Sequence, residues 1–588
     1  MKKSAWTLAA VAAAVAAAMS PVSAESVTTE GVGVGKHGDI VAAVTFDGGK
    51  IQKIEILKSH ENPVLAARVF TDMKDAMVAN NTADIDAVAG ATLSSEGLIA
   101  AVKDAAKKAG VVLAAGVPLQ KPQSAVPAES RYDVVVIGSG GAGFSAAITA
   151  KDKGASVVIL EKMPNVGGNS LISGAEMAAA GNWLQPKLGI TDDSVELHYQ
   201  DTMKGGDNKG DPAVVRTLVE NALPAAEWCR DVIGVEFEDN LFWFGGHSKK
   251  RSLIPKGATG TEFIKKFSAA AEARHIPIIT GMKAESLVKD ANGRIVGVRA
   301  TMDGKDYQFL ADRGVVIATG GFSANVKMRE EANSFYGAGF KTTNMPGATG
   351  DGIVMGVKAG GEAVNMGYIQ TYPMCDPISG AIELIDDARF EGAILVNQEG
   401  KRFVEELERR DVMSKAILEQ TGQYCYALFN GAIEKKSHAV TNHQDEVEVF
   451  TKAGILHRAE TLDELAAYFK IPADALKATV ARVNEFAKTG KDLDFNYRGR
   501  FVDLSTGPYW MYRGVPSVHH TMGGLRINPK AQVLTPEGKP IPGLWAAGEV
   551  TGCTHGTNRL GSNAYADIIV FGRIAGAEAA ANPPVKAD

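Results

Sequence analysis

A glycine-rich turn between an apolar strand and a helix constrains the fold of this chain more than any other feature. Residues 132–137, YDVVVI, form an apolar run typical of a buried parallel strand. The turn that follows is GSGGAG, residues 138–143, and residues 144–153 have a helical pattern. Residues 156–160 predict a second strand, which ends at Glu161. This order of elements predicts a Rossmann-like α/β fold.

The small residues of this turn predict a dinucleotide-binding site. Gly138, Gly140, Ala142 and Gly143 occupy positions where the backbone approaches a pyrophosphate at the N-terminus of a helix. Glu161 follows the turn by about 20 residues, where an acidic side chain accepts hydrogen bonds from a ribose. The fingerprint alone does not distinguish NAD from FAD.

Composition narrows the function classes. The chain has 588 residues, enough for several domains, and a net charge of -6, which gives no reason to expect nucleic acid as a partner.

We expect no metal site. The four cysteines are far apart, and no Cys-x-x-Cys-His motif for covalent haem is present. Their spacing leaves open whether they form disulfides or remain buried thiols.

The first 24 residues have the pattern of a cleaved signal peptide. Lys2 and Lys3 form a basic start, residues 6–19 are apolar, and residues 22–24, VSA, fit a small-residue cleavage site. An Arg-Arg pair is absent, which favours the general secretory route. We therefore expect an exported, periplasmic protein.

Three regions follow the signal segment. Residues 25–115 combine strand-like alternation with a helix-like stretch and predict a small α+β domain. Residues 116–130, VPLQKPQSAVPAESR, have the composition of a linker. The dinucleotide-binding domain begins at about residue 131.

Three later segments carry a family resemblance. Residues 162–170 follow the ribose acid, and residues 315–321 and 543–549 are strands that end in glycines or Gly-Glu. Together they resemble the FAD domain of the fumarate reductase and succinate dehydrogenase flavoprotein family, over about residues 130–582. The resemblance implies non-covalent FAD in a domain formed by residues 131–365 and 513–588, with an inserted α+β cap, residues 366–512. Beside the turn and Glu161, the matching contact positions are Asn169, Ser170, Gly174, Ala175, Asp351, Glu549, Ser562 and Asn563.

Three further stretches resemble the active-site motifs of this family: residues 392–411, 518–524 and 554–561. The family's proton-donating arginine falls on Arg410, and its carboxylate-holding pair falls on His519 and Arg559. This implies hydride transfer from reduced flavin to an activated C=C bond of a small unsaturated carboxylate. Cationic donors stabilise the negative charge that develops in such a reaction.

The resemblance also implies a relay of arginine and carboxylate that serves Arg410. We expect Arg389 and Asp387 to form this relay with Arg410.

Two departures from the fumarate reductase pattern concern the substrate. Tyr372 stands in place of a histidine, and the segment around Asp386 and Asp387 replaces a Thr-Glu pair. A second carboxylate would be repelled there, whereas an aromatic nitrogen ring fits an aromatic and acidic wall. The substitutions are similar to those of family members that reduce urocanate to imidazole propionate, which implies urocanate as the substrate. The sequence leaves open which aspartate faces the ring; we prefer Asp387.

Residues 86–94, DAVAGATLS, resemble the attachment motif of FMN-binding domains, although Ala89 stands where Ser or Thr is commoner. The resemblance implies that a flavin transferase joins FMN covalently to Thr92. Electrons would then pass from an external donor, expected to be a membrane-anchored, quinol-linked cytochrome, through FMN to FAD and the substrate.

Two groups of alternatives remain. One is another enzyme of the same fold: a fumarate reductase, an aryl-acrylate reductase or an oxidase. The other is a periplasmic flavin electron carrier with an inactive reductase half, which the presence of Arg410, His519 and Arg559 argues against.

Overall fold

A computed structural model describes residues 26–88, 91–116 and 126–585. The predicted signal peptide, residues 1–24, and Ala89 lie outside the described residues. The chain divides into two compact units between Ser124 and Ala125, a position inside the predicted linker.

The first unit is a small α+β domain. It contains β1 (Val27–Gly35), β2 (Gly38–Asp47), β3 (Lys50–Lys58), α1 (Lys74–Asn80) and α2 (Thr92–Ala109). The strands form one antiparallel sheet in the order β1-β2-β3. Helix α2 lies directly on β1, because glycines there leave room for it: a Cβ at Gly31 would lie 1.9 Å from the Ala101 carbonyl oxygen.

The second unit holds the remaining elements. Its strands are β4 (Glu129–Ile137), β5 (Val157–Glu161), β6 (Met177–Ala178), β7 (Phe237–Phe242), β8 (Ser252–Pro255), β9 (Ile278–Thr280), β10 (Lys283–Lys289), β11 (Ile295–Met302), β12 (Lys305–Ile317), β13 (Ala363–Val364), β14 (Ile369–Cys375), β15 (Ile394–Val396), β16 (Cys425–Asn430), β17 (Leu456–Ala459), β18 (Tyr509–Thr521), β19 (Gly524–Leu525), β20 (Gln532–Leu534) and β21 (Pro540–Ala546). Its helices are α3 (Gly141–Asp152), α4 (Gly168–Ile172), α5 (Val195–Gly205), α6 (Pro212–Trp228), α7 (Thr261–Ala273), α8 (Val326–Ala332), α9 (Asp351–Lys358), α10 (Asp387–Phe390), α11 (Arg410–Leu418), α12 (Gly431–Ser437), α13 (Ala439–Asn442), α14 (Gln444–Lys452), α15 (Leu462–Phe469), α16 (Ala473–Thr489) and α17 (Asn563–Ala581).

The main sheet of this unit has a parallel centre. Strands β9, β5, β4 and β12 are neighbours in that order, and the last residues of β12 pair with β21. The first residues of β12 instead join β11 and β10 in an antiparallel meander. The apolar runs predicted at 132–137 and 156–160 are therefore adjacent buried strands, β4 and β5.

Helices α3 and α17 cross in backbone contact beside this sheet. A Cβ at Gly572 would lie 2.5 Å from the Ala142 carbonyl oxygen, and one at Gly576 would lie 2.1 Å from that of Ala146. Glycine at both positions is therefore what allows the last helix to pack against the helix that follows the glycine-rich turn.

A second sheet lies in the region predicted as the cap. Its order is β14-β18-β16-β15, and β17 also pairs with β18. Strand β18 runs without interruption through residue 512, the predicted end of the cap, and continues to Thr521. One strand therefore joins the predicted cap core to the segment that carries His519.

All four cysteines are free and buried. Among the described helices, none combines the length and apolar character required to cross a membrane.

Candidate functional site

The carboxyl ends of the parallel strands meet at a cleft. Strand β4 contributes the glycine-rich turn, β5 contributes Glu161, and β12 and β21 lead into Ala318 and Glu549. Ligands of open α/β sheets bind at this edge. The fold therefore places the predicted dinucleotide site in the expected position.

The Glu161 carboxylate is fixed by the turn that it faces. One oxygen accepts hydrogen bonds from the Ser139 backbone N–H at 3.0 Å and the Ser139 hydroxyl at 2.7 Å. The other accepts from the Met163 N–H at 2.7 Å. A carboxylate oriented in this way, at a strand end beside a helix N-terminus, suits a ribose hydroxyl.

Most of the predicted FAD contacts line this cleft. They are Gly138, Gly140, Ala142, Glu161, Asn169, Ser170, Asp351 and Glu549. Gly143 does not line the cleft. It allows the start of α3 to pack closely against the glycine-rich turn, because a Cβ there would lie 1.9 Å from the Gly138 carbonyl oxygen.

Other predicted contacts lie away from the cleft lining. They are Gly174, Ala175, Ser562 and Asn563. Ser562 bonds the Ser252 hydroxyl at 2.6 Å, and Asn563 bonds His198 at 2.9 Å. Cofactor contact at these positions stays a prediction.

The cleft fits the pyrophosphate and ribose of FAD. The first N–H groups of α3 have no carbonyl acceptor within the helix and lie at the cleft with Gly140 and Ala142. A side chain at Gly138 would collide with Ala318, since its Cβ would lie 2.3 Å from that carbonyl oxygen.

A second cavity lies between β14, α10, α11 and the loop that precedes α17. Arg410, the first residue of α11, and Arg559 both line it, together with Tyr372 and Arg389. Burial lowers the pKa of Arg410 and of Arg559. The charge of Arg389 lowers the pKa of Arg410 further, and the charge of Arg410 lowers that of Arg559 further. Among the described residues neither Arg410 nor Arg559 forms an ion pair. The positive charge in the cavity is therefore not neutralised by a direct contact with a described carboxylate side chain.

Several buried polar atoms around these cations have no hydrogen-bond partner among the described residues. They are Arg410 Nη1, Arg559 Nε, His520 Nδ1 and both ring nitrogens of His555. Since buried polar groups are almost always bonded, this concentration of unpaired atoms is the signature of a site built for a polar ligand.

His519 joins the two arginines from strand β18. Burial and the charges of Arg559 and Arg410 lower the pKa of its imidazole well below the usual value, so the ring is neutral. Its ring lies edge-on to Tyr372, with centroids 5.3 Å apart. The guanidinium carbon of Arg410 lies over the ring of Tyr372, 4.8 Å from the ring centre. The structure thus brings Arg410, His519, Arg559 and Tyr372 together, as the sequence predicts.

The predicted relay needs a correction at its carboxylate. Arg389 binds Asp386 and not Asp387: its Nε lies 2.9 Å from Asp386 Oδ1. Asp386 also accepts hydrogen bonds from Tyr512 at 2.9 Å and from Tyr372 at 3.4 Å.

The Asp387 side chain is 46% exposed and faces His443 at 3.4 Å. The two aspartates are adjacent on a short helical turn, so they point in different directions. Contact between Asp387 and the substrate stays a prediction.

Glu176 is an acidic residue of this site that the sequence analysis missed. It follows Ala175, which has a left-handed backbone with φ of 60°, and its charge interacts with those of Arg410, Asp387 and Arg559. Burial raises the pKa of its carboxyl. A single glutamate in the small-residue run GAEMAAA has no spacing signal, so the sequence offered no means of finding it.

Thr92 is the first residue of α2 in the first unit, and its side chain is exposed. The N–H groups of the first helical turn have no carbonyl acceptor within the helix. An exposed hydroxyl at a helix N-terminus is accessible to an enzyme and compatible with a phosphate.

Taken together, the fold and the two cavities define a two-unit flavoprotein oxidoreductase. The FAD binding domain family matches residues 133–564, and the FMN-binding domain family matches residues 35–107. The chain belongs to the FAD-binding flavoprotein family that includes the fumarate reductases, and it carries an additional FMN-binding domain. The predicted fold class and family resemblance are confirmed.

Individual relatives support the same assignment. A urocanate reductase of Eggerthella lenta is 42% identical over 94% of this chain and 92% of its own length. A cytochrome-type fumarate reductase of Shewanella frigidimarina is 40% identical over 76% of this chain and 77% of its own length. The open conformation of a flavocytochrome c3 fumarate reductase matches with a TM-score of 0.65 and 35% identity, covering 77% of this chain and 78% of that structure.

Proposed function

We propose that this protein reduces the C=C bond of urocanate to give imidazole propionate. The observation that carries the proposal is that cations without an ion-pair partner among the described residues and an aromatic ring meet in the second cavity. Arg410 and Arg559 form its cationic end, His519 adds a neutral ring beside them, and Tyr372 contributes an aromatic ring that contacts both Arg410 and His519. Urocanate has one carboxylate for the arginines and one nitrogen ring for the aromatic side chain.

The cationic end suits the substrate carboxylate. Arg559 offers a bidentate grip, and its buried guanidinium gains a counter-ion when the carboxylate binds. His519 adds a neutral N–H donor. The same groups stabilise the negative charge that moves into the carboxylate as the double bond is reduced.

Arg410 has the environment of a proton donor. Reduced FAD, when bound, supplies the hydride to one alkene carbon. The second C–H bond forms with a proton from Arg410, whose burial lowers its pKa and makes it a stronger acid. Arg389 lines the same cavity and is paired with Asp386, so this pair is available to return a proton to Arg410. Two electrons and two protons are thereby added to the substrate.

Tyr372 suits an imidazole ring. It presents an aromatic face, and the carboxyl group of Glu176 is the acidic group near Arg410 and Arg559 that could accept an N–H. Fumarate would place a second carboxylate there, and one unpaired contact at 4 Å costs about 4 kcal/mol at an effective dielectric of 20. The 42% identity to a urocanate reductase supports the same choice.

The decisive experiment is anaerobic oxidation of reduced viologen by the FAD-loaded protein with urocanate, fumarate and cinnamate in parallel. We expect urocanate to be reduced fastest, with imidazole propionate identified by mass spectrometry. Faster turnover of fumarate would overturn the substrate assignment, and the absence of turnover with all three would favour an electron carrier.

We further propose that FMN is attached covalently to Thr92 by a flavin transferase and delivers electrons to FAD. The exposed position of Thr92 at the start of α2 supports this. Export through the signal peptide would place the enzyme in the periplasm, with a membrane-anchored, quinol-linked cytochrome as the donor. Export is tested by finding whether the mature protein begins after Ala24. The donor is tested by measuring whether such a cytochrome reduces the flavins of this protein.

A further inference from the structure

A hydrogen-bonded chain in the loop of residues 341–345 ends on the ring of His519. The Thr343 hydroxyl lies 2.8 Å from His519 Nδ1. The Asn344 side-chain amide donates to that hydroxyl at 3.3 Å and to the His519 carbonyl oxygen at 2.9 Å. The loop is attached to the same strand through its backbone, since the Thr343 N–H donates to the Val518 carbonyl at 3.0 Å.

The donor-to-acceptor direction of these hydrogen bonds is fixed at the end furthest from His519, where a backbone N–H group can only donate. The Met345 backbone N–H donates to Asn169 Oδ1 at 2.8 Å, which orients the Asn169 amide. Asn169 Nδ2 must then donate to Asn344 Oδ1, so Asn344 turns its own NH₂ toward Thr343.

The orientation of the Asn344 amide determines which ring nitrogen of His519 carries the proton. The Thr343 oxygen accepts a hydrogen bond from Asn344, and among the described residues its hydroxyl has no acceptor other than His519 Nδ1, so the hydroxyl hydrogen points to that nitrogen. Nδ1 is then an acceptor, and the single proton of the neutral ring resides on Nε2.

We propose that Asn169, Asn344 and Thr343 are positioning residues that hold His519 in the Nε2–H tautomer, so that it donates to the substrate carboxylate. This inference rests on the proposed function for the role of His519. The reverse tautomer would direct an Nε2 lone pair at the carboxylate and repel it. The three residues thereby determine whether His519 attracts or rejects an anion.

The first test observes the tautomer in the FAD-loaded full chain without substrate. Histidine labelled with ¹⁵N is followed by NMR, and the His519 signals are assigned by their loss in His519→Gln. We expect an unprotonated Nδ1 and a protonated Nε2 in the wild type and in Thr343→Ser, and a mixture of tautomers in Thr343→Val. A protonated Nδ1 in the wild type, or unchanged signals in Thr343→Val, would overturn the inference.

The second test measures the affinity for imidazole propionate through the change in FAD absorbance. Loss of one hydrogen bond of ordinary strength predicts about tenfold weaker binding by Thr343→Val. Thr343→Ser, which keeps the hydroxyl, should restore the affinity. Equal affinity in all three proteins would contradict the positioning role. If the wild type fails to bind while the NMR result holds, the proposed substrate is wrong and the tautomer assignment stands.

Discussion

Arg389 and Asp386 form a buried ion pair at the hydroxyl end of the Tyr372 side chain. The Arg389 Nε lies 2.9 Å from one carboxylate oxygen, and the Tyr372 hydroxyl reaches the other at 3.4 Å. The pair is almost completely enclosed, with 5% and 2% of its side chains exposed. A charged pair this far from solvent has to be supported by further bonds, which Tyr512 supplies.

Replacement of Arg410 by alanine should lower substrate reduction by at least 100-fold while FAD remains bound, because a positioned general acid contributes about 10²–10⁴-fold. Arg409→Ala is the matched control, since Arg409 pairs with Asp207 and Asp411 outside the cavity lining. The measurement is stopped-flow reoxidation of the reduced FAD by urocanate. Comparable rates for the two variants would remove Arg410 from its assigned role.

Replacement of Glu176 by glutamine should lower kcat/KM for urocanate about tenfold, because it removes a charge available to an imidazole N–H. The value for cinnamate, which has no ring nitrogen, should change little. Glu408→Gln is a suitable control, since Glu408 lines the second cavity but is paired with Arg498 at 3.0 Å. A parallel loss with both substrates would show that Glu176 does not recognise the ring.

Replacement of Thr92 by alanine should abolish covalent FMN when the protein is produced together with a flavin transferase. Intact-protein mass spectrometry should show the loss of one FMN adduct. Thr71→Ala changes another exposed threonine of the same unit and should retain the adduct. An adduct that persists in Thr92→Ala would place the attachment elsewhere.

Glu446 should make the protein less stable as the pH rises. Its carboxylate accepts the backbone N–H groups of Leu384 and Ile385, and burial raises its pKa to about 7. Because the unfolded carboxyl has a pKa of about 4.3, the folded state holds the extra proton between pH 4.3 and 7. The contribution of Glu446 to the free energy of unfolding is therefore fully present below pH 4.3. It decreases by about 1.4 kcal/mol per pH unit as the pH rises to 7.

The measurement for Glu446 is the urea midpoint of the wild type and of Glu446→Gln at several pH values. Relative to the variant, the wild type should lose stability between pH 4.3 and 7. Parallel pH profiles would show that Glu446 is ionised in the folded protein throughout this range.

The sequence predicted the cofactor cleft well because its signals are local. The turn from Gly138 to Gly143 and the strand that ends at Glu161 lie within one short segment, and their spacing alone defines the strand–turn–helix unit. The fold confirmed this unit. Arg410, His519 and Arg559 are far apart in sequence, and only their family motifs indicated that they meet.

Long-range side-chain orientation accounts for what the sequence did not reveal. Asp386 and Asp387 are neighbours, so no pattern shows which one turns inward to Arg389. Asn563 bonds His198, a partner 365 residues away, and Thr343 bonds His519 across 176 residues. Such pairs are set by how the sheets and loops pack, and neither composition nor periodicity records them.

The glycine contacts between α3 and α17 have a consequence for assembly. The wall of the FAD cleft combines a helix that begins at residue 141 with Ile568 of a helix near the end of the described chain. A nascent chain that has not yet reached β21 and α17 lacks one side of the cavity. FAD binding must therefore wait until α17 has been synthesised, and a chain that terminates before this helix has an incomplete FAD cleft.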